Sequence, residues 1–215
     1  NVAVARADAV SRARTVGTGF TGSADVTLTN NATSNAYATV VEPNASAGYV
    51  AVGLTCVYAC ADGTFDTTMD NGGKPVTVKS ITIGNRYDSH ATAFSGVATG
   101  GIGLHAVNAS LAVVLARVGS HVTGGIAGSG SVNASGKVAV AVTGTGRAYA
   151  TVKSPTVSLS GVSVAVNCVS AELSGTQDAF IRDASVTSAG TTVTSEFNKG
   201  VSGYGAEAII GAVAG

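Results

Sequence analysis

The chain repeats itself, and that repetition constrains its fold more than any single residue does. Ala36-Tyr37-Ala38-Thr39-Val40 recurs unchanged as Ala148-Tyr149-Ala150-Thr151-Val152, 112 positions later. Val26 and Val138 keep the same offset, as do Cys56 and Cys168. Repeated units of this kind bury their apolar faces by stacking on one another. Val and Thr favour strands, while Gly and β-branched residues disfavour helix, so the stacked elements are strands. The expected fold is all-β, a β-solenoid or β-helix-like stack of repeats of about 50–62 residues. An array of β-sandwiches is the rival.

Composition fits a thin stack. Charged residues are 11% and aromatics 5% of the chain, there is no Trp, and Gly numbers 29. Ala, Val, Ser, Thr and Asn dominate, and such small side chains suit layers of strands lying close together. Lys plus Arg equals Asp plus Glu at 12 each. A chain so balanced offers no basic face for phosphates, which argues against nucleic-acid partners. The longest apolar run, Leu111 to Ala116, falls far short of the ~20 residues that span a bilayer. Asn1-Val2-Ala3-Val4-Ala5 and Ile209-Ile210-Gly211-Ala212-Val213 both read as strand interior. The expectation is a piece of a longer repetitive protein, or a subunit whose ends dock onto neighbours.

The whole length, 1–215, reads as one repetitive domain. Val26-Thr27-Leu28, Val76-Thr77-Val78 and Val138-Ala139-Val140 look like equivalent strand openings, and Val193 opens a fourth. Repeats therefore start near 24, 76, 138 and 193, with 1–23 the tail of a preceding unit. Tyr204 is expected to continue the row of Tyr37 and Tyr149. Within the units Val50, Val52, Leu54 and Cys56 match Val162, Val164, Val166 and Cys168. Their period of two predicts a half-buried strand with these side chains on the covered face. Aligning Gly101 with Gly161 leaves the second unit one residue out of step, which predicts a bulge near Gly103.

Three phrases carry a family resemblance. They are Val132-Asn133-Ala134-Ser135-Gly136-Lys137-Val138-Ala139-Val140, Gly161-Val162-Ser163-Val164-Ala165-Val166-Asn167, and the run from Asp178-Ala179-Phe180-Ile181-Arg182 to Ser188-Ala189-Gly190. The chain resembles the repeats of large bacterial filamentous surface adhesins of the leukotoxin type. The resemblance implies a secreted, elongated β-solenoid stalk with no catalytic residues to carry over. Thr55 to Lys74 departs from the pattern.

That departure holds Asp62, Asp66 and Asp70 in a Gly-rich stretch, read as a solvated inserted loop. Carboxylates in such a loop are also what Ca²⁺ takes, although their spacing matches no calcium-loop motif. No other cofactor is expected. Cys56, Cys60 and Cys168 form no C-x-x-C pair and read as small buried apolar residues. His90, His105 and His121 have no ligand-spaced neighbours. No acidic cluster of the kind a glycosidase needs is present, so the chain is not expected to be an enzyme. Sequons at Asn31, Asn44, Asn108 and Asn133 would be glycan acceptors on exposed turns.

The functional expectation is a structural or adhesive segment of an extracellular bacterial surface fibre. Its partners would be neighbouring repeats or copies of itself end to end, with a glycan or protein receptor. One alternative is a self-assembling subunit of a homopolymeric filament, joined by strand addition. The other is a carbohydrate-binding or carbohydrate-cleaving β-helix.

Overall fold

A computed structural model of the chain describes residues 1–42, 47–97, 104–156 and 162–214. Its strands fall into four coils. The first holds Val2–Thr15 (β1), Phe20–Thr21 (β2) and Asp25–Glu42 (β3). Ala47–Asp70 (β4), Val76–Val78 (β5) and Ser80–Val97 (β6) make the second. The third comprises Leu104–Ala127 (β7), Ser131–Ala134 (β8) and Lys137–Thr156 (β9). In the fourth, Val162–Ile181 (β10) and Ser185–Thr187 (β11) are followed by Gly190–Phe197 (β12) and Gly205–Ala214 (β13).

Like strands of successive coils pair in parallel, giving two long sheets, β1-β4-β7-β10 and β12-β9-β6-β3, joined by a narrow one, β11-β8-β5-β2. Val2 lies opposite Cys56, Ala47 opposite Leu104, and Val107 opposite Val162, offsets of 54, 57 and 55 residues. The fold is therefore the expected β-solenoid-like stack, and every strand pair among the described residues proves to be parallel. The repeated pentapeptide has a simple meaning: Ala36 pairs with Ala91 and Ala91 with Ala148, two coils apart.

Register corrects three alignments. The partner of Val26 is Ile81, whereas Val76 belongs to the narrow sheet beside Phe20 and Val132. Both sites carry a short β-branched run, so the sequence pattern cannot separate a corner strand from the long strand that follows. Val193 pairs with Val140, and Thr191 is the residue opposite Val138. In the second unit Val107 sits opposite both Val50 and Val162, so no slip is needed on the described side of the strand. Gly103 itself lies outside the described residues.

The two long sheets pack face to face, and the space between them is a wedge. At the thin end the contact is mostly alanine, with Ala36, Ala38, Ala59, Ala61, Ala91, Ala93, Ala116, Ala148 and Ala150 buried beside Val57, Val114, Val118 and Val152. Methyl groups are short enough to let the sheets approach, but each buries little area, so backbone ladders carry much of the cohesion there. The thick end, closed by the narrow sheet, takes Met69, Ile81, Ile83, Ile126, Val76, Val132, Val138 and Val140. Between them the Tyr87 ring lies 5.7 Å from Phe65 and 6.4 Å from Phe197, centroid to centroid.

A polar band crosses the interior beside these rings. Asn85 donates to the carbonyls of Phe65 and Thr123 at 3.0 and 2.8 Å, and Asn30, its register partner, donates to that of Ser11 at 3.1 Å. Ser34 reaches the carbonyls of Ala7 and Asp62, and Ser89 meets Ser120 at 3.0 Å. Each bond ties one long sheet to the other. A slip by one residue would strand buried polar groups, so the band fixes register as well as spacing.

Candidate interaction surfaces

The outward face of the β1-β4-β7-β10 sheet divides into two halves. Residues directly opposite one another form rows running along the stack. One half holds the rows Val52/Ala109/Val164, Leu54/Leu111/Val166, Val2/Cys56/Val113/Cys168 and Val4/Tyr58/Leu115/Ser170. Most of its apolar side chains are exposed, Val52 80%, Val2 72%, Val4 65%, Val50 63%, Leu54 57%, and Val164 and Val166 55% each, while Tyr58, Val113 and Leu115 are half-buried. This corrects the covered face expected for Val50 to Cys56. Alternation says that a strand has two faces; it does not say which one meets the other sheet. In β4 that is the face of Val57, Ala59 and Ala61.

The other half is charged. Arg6, Cys60, Arg117 and Glu172 share one row, and Arg12, Asp66, Thr123 and Asp178 another. Asp62, Asp66 and Asp70 do not form a loop. They lie four residues apart on β4, hence ~13 Å from one to the next, too far for one Ca²⁺ to hold all three. Asp66 is buried although it faces outward, because Arg14 and Thr68 close over it and Thr123 donates to it at 2.9 Å. Asp62 accepts from the Cys60 thiol at 3.2 Å, and Asp70 caps the turn by accepting from the Gly72 amide at 2.8 Å. Among the described residues no three His, Cys, Asp or Glu side chains gather as a metal-binding group.

The three cysteines also face outward: the reading of small buried residues holds for Cys60 and is corrected for Cys168 and, in part, for Cys56. All are free; Cys60 is buried beneath its neighbours, Cys56 is half-buried and Cys168 is exposed. Burial pushes the Cys60 thiol up from its usual range, and the Tyr58 phenol, hydrogen-bonded to it, is raised as well.

The outward face of the other long sheet is polar. Thr27, Thr82 and Thr192 share a row with Ala139, and Tyr37 and Tyr149 share one with Thr92. Glu207, not Tyr204, stands opposite Tyr149. The reason is an excursion at 198–204 that separates β12 from β13. Asn198 fills the gap in the ladder: its side chain accepts from the Gly146 amide at 2.8 Å and donates to the Gly146 carbonyl at 3.1 Å. Tyr204 instead packs edge-on against His90, 5.4 Å between centroids, and His90 also bonds Asp88 at 2.8 Å. Where the chain departs, a cavity of about 150 Å³ opens between Tyr87, Val118, Leu173, Gly175 and Phe197. Neither the excursion nor the cavity leaves a periodic mark in the sequence.

His121 bonds Thr176 on the neighbouring strand, and the His105 side chain lies outside the described residues. Asn31 is exposed on the polar face. Asn133 is exposed on the narrow sheet, in a groove lined by Thr77, Lys79, Ser135 and Thr187. Asn44 and the side chain of Asn108 fall outside the described residues. No described helix is long and apolar enough to cross a membrane, which leaves strand-built membrane crossings unaddressed. No protein-family model matches the chain, nor does any curated protein or solved structure.

Proposed function

We propose that this chain is a structural and adhesive segment of an extracellular bacterial surface fibre. The observation that supports it most is the in-register parallel stack with sheet edges at both ends: β1, β2 and β3 at one, β10, β11, β12 and β13 at the other. An unpaired parallel edge accepts another strand, so further coils extend the stack without changing its cross-section. The two edges also leave matching apolar groups half-covered. Phe20, Val26 and Leu28 lie at one end, and Ile181, Ala184 and Val186 at the other. Covering them by the next coil, in the same chain or in another copy, completes the core.

The role is mechanical. Axial ladders of backbone hydrogen bonds bear load, and the Thr- and Asn-rich faces meet water and a receptor. A self-assembling subunit is the second reading, favoured by the same edges.

Antibodies raised against the chain test both. Gold-labelled antibody should decorate filaments on intact cells. A native polypeptide of several hundred kilodaltons supports a long fibre, while one near 20.8 kDa supports a polymerising subunit. Label confined to the cell interior would overturn the proposal.

A further inference from the structure

We infer that the apolar half of the β1-β4-β7-β10 face is a lateral interface on which a second copy of the stack packs, coil order reversed. This goes beyond axial extension and does not rest on it. Adding coils end to end covers the sheet edges and leaves this face exposed.

The first ground is chemistry. From the Val52 row to the Val4 row no charged side chain stands on the outward face, while Val52, Leu54, Val164 and Val166 are all more than half exposed. A contiguous apolar field of this kind on a soluble surface marks an interaction site.

The second is area. From Val50 to Tyr58 along β4 the field runs about 26 Å, three strands wide as far as Leu54 and four from the Val2 row on, or about 400 Å². Extended across the charged rows to Asp66, the same face offers about 900 Å² per copy, against the ~800 Å² per partner of a standard stable interface.

The third is charge, which selects the occupant. The bordering rows place Arg6, Asp8 and Arg12 on β1, at one end of the stack, and Glu172 and Asp178 on β10, at the other, with Arg6 paired to Asp8 at 2.8 Å and Asp178 to Arg182 at 3.4 Å. Turn a second copy over by a two-fold axis along the strands, and β1 of each faces β10 of its partner. Arg6 then meets Glu172 and Arg12 meets Asp178, twice each, while Val52 lies over Ala109, Leu54 over Leu111 and Val2 over Cys168. A two-fold interface must be self-complementary, and this face is.

The test uses the 215-residue chain in sedimentation velocity at physiological salt. The wild type should form a closed dimer at micromolar concentration. Val52→Lys and Leu54→Lys, at exposed positions outside the core, should each weaken dimerisation at least tenfold while circular dichroism stays unchanged. A second measurement covers the case of a variant that fails to fold. In the reversed packing Val2 of one copy lies over Cys168 of the other, so oxidised Val2→Cys, made in a Cys56→Ser background to remove its neighbour within the chain, should give a covalent dimer and no higher species. A monomeric wild type at 100-fold higher concentration would overturn the inference, as would a dimer indifferent to both lysines. So would Val2→Cys cross-linking into an open-ended ladder of oligomers, which is the mark of end-to-end stacking.

Discussion

Gly144→Ala is the substitution that probes the packing between coils most sharply. Gly144 lies on β9 directly opposite Tyr87 of β6. A Cβ built there would stand 2.0 Å from Cε1 and 2.2 Å from Cζ of the Tyr87 ring. The ring has little room to yield, because Phe65 and Phe197 stack on it and its hydroxyl donates to Gln177 at 3.1 Å. Overpacking of this kind costs roughly 1–3 kcal/mol. Against it stands the ~0.4–1 kcal/mol by which Ala stiffens the unfolded chain relative to Gly. The net is a loss of about 1–2 kcal/mol, or roughly 2–8 °C in thermal midpoint for a chain of this size. Gly84→Ala is the control. It lies on β6, the strand of Tyr87, and its Cβ would meet only a Thr29 methyl at an ordinary 3.5 Å, so it should hold or raise the midpoint. Thermal unfolding of both variants, repeated in a Tyr87→Leu background, completes the cycle. There the Gly144→Ala cost should shrink by about 1 kcal/mol or more, because the two sites share one space. If Gly144→Ala stabilises as Gly84→Ala does, or costs the same in both backgrounds, the ring is not where the register places it.

Two further outcomes follow from individual side chains. Burial pushes the Tyr87 phenol up to about 12, so the folded protein holds it neutral while the unfolded chain ionises near 10. Its contribution is complete below pH 10 and is lost as pH rises from about 10 to 12, a decline on the order of 2 kcal/mol after allowing for residual solvent screening. Chemical denaturation across that range should show Tyr87→Phe declining less steeply than the wild type; parallel slopes would refute the burial. In the monomeric Val52→Lys variant, maleimide should label exposed Cys168 first and buried Cys60 last, followed by mass spectrometry of tryptic peptides. Equal rates would contradict the outward but covered placement of Cys60.

The stacked all-β architecture was legible because coil-to-coil pairing preserves small residues at matching positions. Ala36 and Ala148 must both fit the thin seam, so the pentapeptide survives two coils later. Less was legible of the surfaces. The alternation of Val50, Val52 and Leu54 is the same whether the apolar side faces a second sheet or solvent, and only the position of the opposing strands decides. The acidic stretch from Asp62 to Asp70 looks like a loop in sequence because Gly63 and three carboxylates interrupt its hydrophobicity. In the fold Gly63 instead makes room for the Phe65 ring, and the carboxylates fall on the outward face of a continuous strand. The Asn198 plug and the excursion behind it depend on one residue at φ 50° and an inserted segment, which no period reveals.

Aligned filaments containing this chain test the central account most directly by X-ray diffraction. Coils stacked along the long axis put the hydrogen-bond direction parallel to it, so the ~4.8 Å strand spacing should appear on the meridian. A 4.8 Å reflection on the equator, with strands running along the filament, would contradict the coil stack and the fibre role built on it.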